Sequence, residues 1–289
     1  MRLSSVPSVY SVVNKGESMK ITFIGGGNMA SALIGGLVQQ GFNPNDVRVV
    51  EINPDACASL TRAFALKIYS GISAEAVQSD LIVLAVKPQQ LHVVAAELQP
   101  LLREQLVVSI AAGVRAADLS RWLGNYPRVV RAMPNTPAMV RAGVTGLYAL
   151  DGVNAQQRGQ AQQVLAAVGG CVWLEDEGQM DAVTAVSGSG PAYVFYFIEA
   201  LEAAALELGL SPEQGRELAL ATFLGAAQLA RSSADDPASL RAKVTSKGGT
   251  TERAIQALEQ ADVKSLIRNA VRAAAQRSQE MGDALGKQG

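Results

Sequence analysis

Lys20–Val38, KITFIGGGNMASALIGGLV, decides how the rest of the chain is read. Ile21, Phe23 and Ile24 make an apolar run of strand length, and the glycines after it lead into a segment with helical spacing. Gly25, Gly27 and Ala30 match G-x-G-x-x-G/A. Gly25 can make the tight turn, Gly27 lets the backbone approach a pyrophosphate, and the small Ala30 lets the helix pack closely on the strand. The helix is predicted to begin near Asn28, so the unpaired N–H groups at Asn28 and Met29 and the positive end of the helix dipole face the phosphates. The competing reading is a plain glycine turn. The strand before the glycines and the helix after them favour a dinucleotide site.

Moving outward, Val47–Glu51 reads as a second parallel strand and Asn53-Pro54 as the turn into a helix running through Leu66. An acid ending the second strand commonly binds the ribose 2′-hydroxyl of NAD and disfavours the extra phosphate of NADP. Glu51 stands near that place. The alternative is that Glu51 faces solvent and Asn53 meets the ribose or its phosphate, which leaves the choice of nicotinamide open. Lys67–Tyr69 gives a short third strand, and Ser73 is expected to cap a brief helix. Asp80–Val86 is a buried fourth strand broken at Lys87-Pro88, where proline starts the next helix. Ligands lie at the carboxyl ends of such strands, so Ala85, Val86, Lys87 and Pro88 are candidate cofactor contacts, with an ordinary strand–helix corner as the alternative. Leu106–Ile110 is a fifth strand, and the tiny Ala111, Ala112 and Gly113 after it leave room for a flat ring. Val129–Ala132 adds a strand. Met133–Pro137, MPNTP, makes a stiff turn that can hold a polar side chain beside a ligand or serve as a mere corner. Gly143–Leu150, a helix over Gln156–Val168 and a strand at Cys171–Leu174 complete the α/β region.

At 289 residues the chain is long enough for two domains. Aromatic residues are 5% and hydrophobic residues 48%, so Ala, Leu and Val must do most of the packing. A formal charge of -1 argues against nucleic acid as main partner. Cys57 and Cys171 have neither disulfide nor metal-ligand spacing, read as buried small residues, and fit a cytoplasmic location. His92 is the single histidine, read as a surface or packing residue, which excludes a Ser-His relay. Residues 1–18 hold no apolar run of signal-peptide or membrane length and read as a loose extension, with Met19 as an alternative start.

From Gln179 the pattern turns to helices alone. The run Glu175-Asp176-Glu177 at this joint reads by default as a solvated linker. Ser187-Gly188-Ser189-Gly190-Pro191 is expected to open a long helix, with serine capping and proline near its start. Tyr193, Phe195, Tyr196 and Phe197 on it suit a core or a subunit interface. Helices at Pro212–Arg231 and Pro237–Val244 lead to Thr245-Ser246-Lys247-Gly248-Gly249-Thr250-Thr251, with a helix from Glu252. A Gly-Gly turn before a helix aims several N–H groups one way, an anion cradle suited to a small carboxylate. A helix cap made by Thr250 or Thr251 is the alternative. Val263–Leu285 is an amphipathic last helix.

GGGNMA, AVKPQ, AAGV, MPNTP, SGSGPAY and TSKGGTT occur in this order from the first turn onward. Together they make the chain resemble the pyrroline-5-carboxylate reductase family, the last enzyme of proline biosynthesis, over nearly everything from Met19. The resemblance implies an α/β fold: an N-terminal Rossmann domain at 19–178 with a parallel-type sheet, then an all-α substrate-binding and dimerisation domain at 179–289. It implies a homodimer, possible further assembly, and active sites that join the cofactor of one subunit to the Gly248–Gly249 loop of the other. By resemblance, the amides of Gly248 through Thr251 hold the substrate carboxylate, the Thr251 hydroxyl reaches the ring nitrogen, and Glu177 touches substrate. The family generally favours NADPH, and Glu51 puts NADH in play here. Two positions depart from some relatives, Ser73 and Lys243 standing where others carry Asn near the cofactor. Reduction of a cyclic iminium needs positioning more than a nucleophile, metal or histidine. Two rival readings are a β-hydroxyacid dehydrogenase using Lys247 or Lys243 as acid/base, and a protein that binds dinucleotide without turnover.

Overall fold

The computed structural model describes residues 19–287; the expectation for residues 1–18 lies outside them. In chain order the first region holds β1 (Ile21–Ile24), α1 (Asn28–Gln39), β2 (Val47–Val50), α2 (Pro54–Phe64), β3 (Lys67–Tyr69), β4 (Leu81–Leu84), α3 (Pro88–Leu98), β5 (Leu106–Ser109), α4 (Ala116–Trp122), β6 (Val129–Met133), β7 (Gly143–Ala149), α5 (Ala155–Leu165) and β8 (Gly169–Trp173). The sheet order is β3-β2-β1-β4-β5-β6-β7-β8. The first six strands are parallel, which is the doubly wound Rossmann order. Every residue of β1, β4 and β5 is buried, as both faces of a parallel sheet covered by helices require.

β7 pairs antiparallel with β6, and β8 runs parallel to β7. The reason is the link between β6 and β7. It is the short MPNTP turn and a 3-10 turn over Thr136–Val140, too brief for the crossover a parallel neighbour needs. Two sequence expectations shift locally. α2 stops at Phe64 because Ala65 turns left-handed, φ 52°, to reach β3. Ser73 caps a turn, its Oγ accepting from Ala76 N–H at 3.2 Å, with no helix formed there.

The second region is helical: α6 (Gln179–Val183), α7 (Gly190–Glu207), α8 (Pro212–Ser232), α9 (Pro237–Lys243), α10 (Thr250–Gln260) and α11 (Val263–Gly286). Ser187–Pro191 does not open a separate helix. α6 runs on through a π turn at Thr184–Gly188 into α7, and no serine side chain caps it. Pro191 has no N–H to return to the Ser187 carbonyl. That carbonyl accepts instead from Asn135 Nδ2 at 3.3 Å, while Ser189 N–H closes the wide turn on the Thr184 carbonyl at 2.8 Å. α11 then returns to the first region, where Leu285 is buried in the cluster of Leu91, Leu119 and Trp122; within the helical region its Ser278 Oγ donates to Asp181 Oδ1 of α6 at 2.6 Å. Among the described residues no helix is long and apolar enough to cross a membrane.

Candidate active site

β2, β1, β4 and β5 are neighbours in the sheet, and the glycine turn, Asn53 and the two rim segments expected at the cofactor lie at their carboxyl ends, whereas Ser73 follows β3 and Lys243 ends α9. Gly25–Met29 follow β1, Asn53 follows β2, Ala85–Pro88 follow β4, and Ala111–Gly113 follow β5. Gly25 has φ +99°, and a Cβ there would lie 2.7 Å from the Ala85 carbonyl oxygen, so the β1 turn is packed against the end of β4. Gly27 is the N-cap of α1, with no side chain capping it, and a Cβ at Gly27 would meet nothing within 4 Å. An uncapped helix start behind an open glycine is a cradle that fits a diphosphate. Asn28 is exposed beside it; Met29 is half-buried and packs on the core. Lys87 caps the backbone of α3, and Pro88 takes its first position.

The Glu51 carboxylate turns inward. Its Oε2 accepts from Gly26 N–H at 2.7 Å and its Oε1 from Ile52 and Asn53 N–H at 2.7 Å each. Asn53 is exposed and caps α2, its Oδ1 accepting from Asp55 and Ala56 N–H at 3.0 Å each.

Ala111–Gly113 also meets the helical region. Gly113, at φ +80°, would place a Cβ 3.3 Å from Leu285, and Arg115 pairs with Asp283 at 2.5 Å. That hydrogen bond holds the Arg115 guanidinium above its ordinary pKa. Glu177 is not a solvated linker residue. Its Oε1 accepts from Ala116 N–H at 2.6 Å and from Arg131 Nη1 at 3.0 Å, with the Arg131 side chain 6% exposed. Arg131 went unremarked in the sequence, although a lone arginine inside the apolar VVRAM strand signals a buried ion-pair partner. Burial, aided by the charge on Glu177, pushes the Tyr148 phenol up; Tyr148 sits opposite Arg131 in the sheet. Asn135 of MPNTP is a buried clamp: Nδ2 reaches the Ser187 carbonyl and Oγ at 3.3 Å each, and Oδ1 accepts from Val144 N–H at 2.9 Å.

The second glycine turn stands apart. Gly248 has φ +73°, and a Cβ there would meet nothing within 4 Å. Gly249, not a threonine, caps α10, putting Thr250 and Thr251 in its first turn with no side chain on their amides. Gly248 N–H is already taken by Glu252 Oε2 at 2.7 Å and Gly249 N–H by the Ser246 carbonyl at 3.0 Å. Thr250 and Thr251 therefore carry the N–H groups the helix leaves unpaired. Among the described residues, the hydrogen bonds of residues 233–262 end within 229–266, so one chain ties this turn only to itself. Lys243, cast as a possible acid/base, pairs with Asp235 at 2.5 Å.

Of the other flagged residues, His92 packs edge-on to Trp122, ring centroids 5.2 Å apart. Cys57 and Cys171 are half-buried, not fully buried; burial pushes the Cys171 thiol up to about 11. Phe195 and Tyr196 are exposed, in company with Leu218, Leu224 and Leu229 on α8.

Residues 177–281 match the family model described as pyrroline-5-carboxylate reductase dimerisation, and residues 20–113 match one described as NADP oxidoreductase coenzyme F420-dependent. A pyrroline-5-carboxylate reductase of Pseudomonas aeruginosa is 48% identical, covering 93% of this chain and 98% of that protein. The chain belongs to the pyrroline-5-carboxylate reductase family. The solved structure of a pyrroline-5-carboxylate reductase from Coxiella burnetii superposes with a TM-score of 0.87 at 42% identity, over 92% of this chain and 99% of that one. The Plasmodium falciparum pyrroline carboxylate reductase, solved with NADP bound, gives 0.82 at 30% identity, over 92% and 99%.

Proposed function

We propose that this chain reduces 1-pyrroline-5-carboxylate to L-proline with NADPH or NADH, working in the cytoplasm as a homodimer. Residues 19–178 form the cofactor domain and residues 179–289 the substrate and dimerisation domain. NAD(P)H, when bound, supplies the hydride that the imine carbon receives. The chain's own residues do the positioning. The α1 amides behind Gly27 hold the diphosphate, the rim Ala85–Pro88 and Ala111–Gly113 seats the rest of the dinucleotide, and the α10 amides of Thr250 and Thr251 hold the substrate carboxylate. The Thr251 hydroxyl is aimed at the ring nitrogen, and Glu177 borders the substrate from the Gly113 side. Fixing both reactants in this way lowers the barrier mainly through orientation.

The observation that carries this reading is the pair of uncapped helix starts behind glycine turns, α1 after Gly27 and α10 after Gly249, in a chain of this family. The second turn's hydrogen bonds, which stay within its own segment, support a site completed by a second copy, as does the exposed apolar face of α7 and α8, which suits an obligate interface. The test is oxidation of NADPH and of NADH by the purified protein with 1-pyrroline-5-carboxylate, against a β-hydroxyacid with the oxidised cofactors. Turnover of the imine alone is expected; turnover of the hydroxyacid alone, or dinucleotide binding with no turnover, overturns the reading.

A further inference from the structure

We infer that Glu51 is a positioning residue of the cofactor turn and does not read the ribose, so that this acid does not set the choice between NADH and NADPH at the end of β2. The inference rests on the dinucleotide reading above and deepens it.

A carboxylate has about four acceptor positions on its two oxygens. Three backbone N–H groups, those of Gly26, Ile52 and Asn53, already converge on Glu51 at 2.7 Å each. The residue is pinned along its main chain as well: Glu51 N–H donates to the Tyr69 carbonyl of β3 at 3.0 Å, and Cys57 Sγ of α2 donates to the Glu51 carbonyl at 3.4 Å. Swinging out to a ribose diol would gain at most two O–H donors and give up three N–H donors, one of them on the buried Gly26. An abandoned buried N–H is costly, so the exchange gives no net preference for the diol.

The middle glycine of GGG supports the same conclusion independently. The dinucleotide spacing assigns roles to Gly25 and Gly27 and none to Gly26. A Cβ on Gly26 would lie 2.6 Å from Leu60 Cδ1 and 3.2 Å from Glu51 Oε2, so a side chain there would displace Leu60 and crowd this carboxylate. Gly26 and Glu51 fit each other. With the acid turned inward, the groups left at the β2 end are the apolar, exposed Ile52 and the Asn53 amide, whose Nδ2 is outside its two capping bonds. A carboxamide N–H can donate to a hydroxyl or to a phosphate oxygen, so this end of β2 admits either form of the ribose.

The test compares E51A and E51Q with the parent full-length protein. Two quantities are measured: the Kd for NADPH and NADH by nicotinamide fluorescence, and the hydrogen exchange of the Gly26 amide in dinucleotide-free protein by NMR. In E51A both dinucleotides are expected to weaken by about tenfold, with the ratio of the two Kd values held within about twofold. Gly26 exchange should quicken. E51Q, which keeps the size and one acceptor oxygen, should show the same uniform loss to a smaller degree. A shift of about tenfold or more toward NADPH in either variant would mean that the acid reads the ribose, and unchanged Gly26 exchange in E51A would remove the brace. A parent protein that binds neither dinucleotide sinks the oxidoreductase reading itself, and the Gly26 exchange then still decides the role of Glu51.

Discussion

Gly25 and Gly248 both stand at positive φ, +99° and +73°, and beside each a glutamate of the same chain accepts a turn N–H at 2.7 Å, Glu51 from Gly26 and Glu252 from Gly248. Their surroundings are opposite. Gly25 is pressed against Ala85, with strands on both sides of β1 to hold it, whereas nothing lies within 4 Å of where a Gly248 Cβ would stand. The first turn, the proposed cofactor turn, is therefore a product of the packed sheet and is finished in a single chain. The second turn is shaped by hydrogen bonds inside its own segment, and under the proposed function the walls around a substrate come from elsewhere.

The largest test of that contrast exchanges each glycine for alanine. G25A meets both a backbone angle closed to L-residues and a carbonyl at 2.7 Å. It should lose about 3 kcal/mol of stability and all measurable dinucleotide binding. G248A meets only the left-handed angle, so its melting should reflect about 1 kcal/mol, with dinucleotide affinity intact and a raised KM for the imine. Equal stability losses in thermal denaturation would erase the distinction between the turns.

A charge on the apolar helical face probes the missing walls. Leu224 is 62% exposed on α8, and on a monomer L224R should change stability by no more than about 0.5 kcal/mol. If a second copy completes the site, sedimentation should show monomer, turnover should fall in step with the dimer fraction, and dinucleotide Kd should stay where it was. A monomeric L224R with full activity would place the whole site in one chain. T251A follows in size. Loss of one hydroxyl hydrogen bond to a charged nitrogen should lower kcat by about tenfold to a hundredfold with the fold and the dinucleotide Kd unchanged.

The same contrast explains how much was legible in the sequence. The strands around the first turn are short apolar runs closed by glycine or proline, so β1, β2, β4 and β5 and the residues on their rim could be placed from periodicity and punctuation alone. Direction was harder. Nothing local in Gly143–Ala149 says that β7 runs backward; the brevity of the MPNTP link says it, and only once β6 and β7 are known to be neighbours. The π turn was hidden for a related reason. Pro191 reads as a helix start, and its place within a continuing helix depends on Asn135, far away in the chain, accepting the duty of satisfying the Ser187 carbonyl. Glu177 and Arg131 look unrelated in sequence and become a pair only through the sheet. At the second turn the motif identified the residues, while the use of Gly248 and Gly249 N–H inside the loop was invisible, because Glu252 reads as an ordinary first-turn acid.

Glu252 supplies the finest comparison with the cofactor turn. It sits in the first turn of α10 and reaches back to Gly248 N–H, much as a capping-box acid does, but on an exposed loop. Removing it in E252A hands that N–H to water, so no buried donor is stranded, and the loss is that of one net hydrogen bond, about 0.5–1.5 kcal/mol. The turn would hold its left-handed geometry less firmly, and the KM for 1-pyrroline-5-carboxylate should rise about threefold, with kcat and both dinucleotide Kd values unmoved. The glutamate also carries a negative charge close to where a substrate carboxylate is proposed to bind, and like charges oppose each other there. If steady-state kinetics of E252A gave a lower KM than the parent, repulsion would outweigh organisation at the substrate turn. The two glutamates, alike in geometry, would then differ in kind: one a brace for its ligand's site, the other a competitor for it.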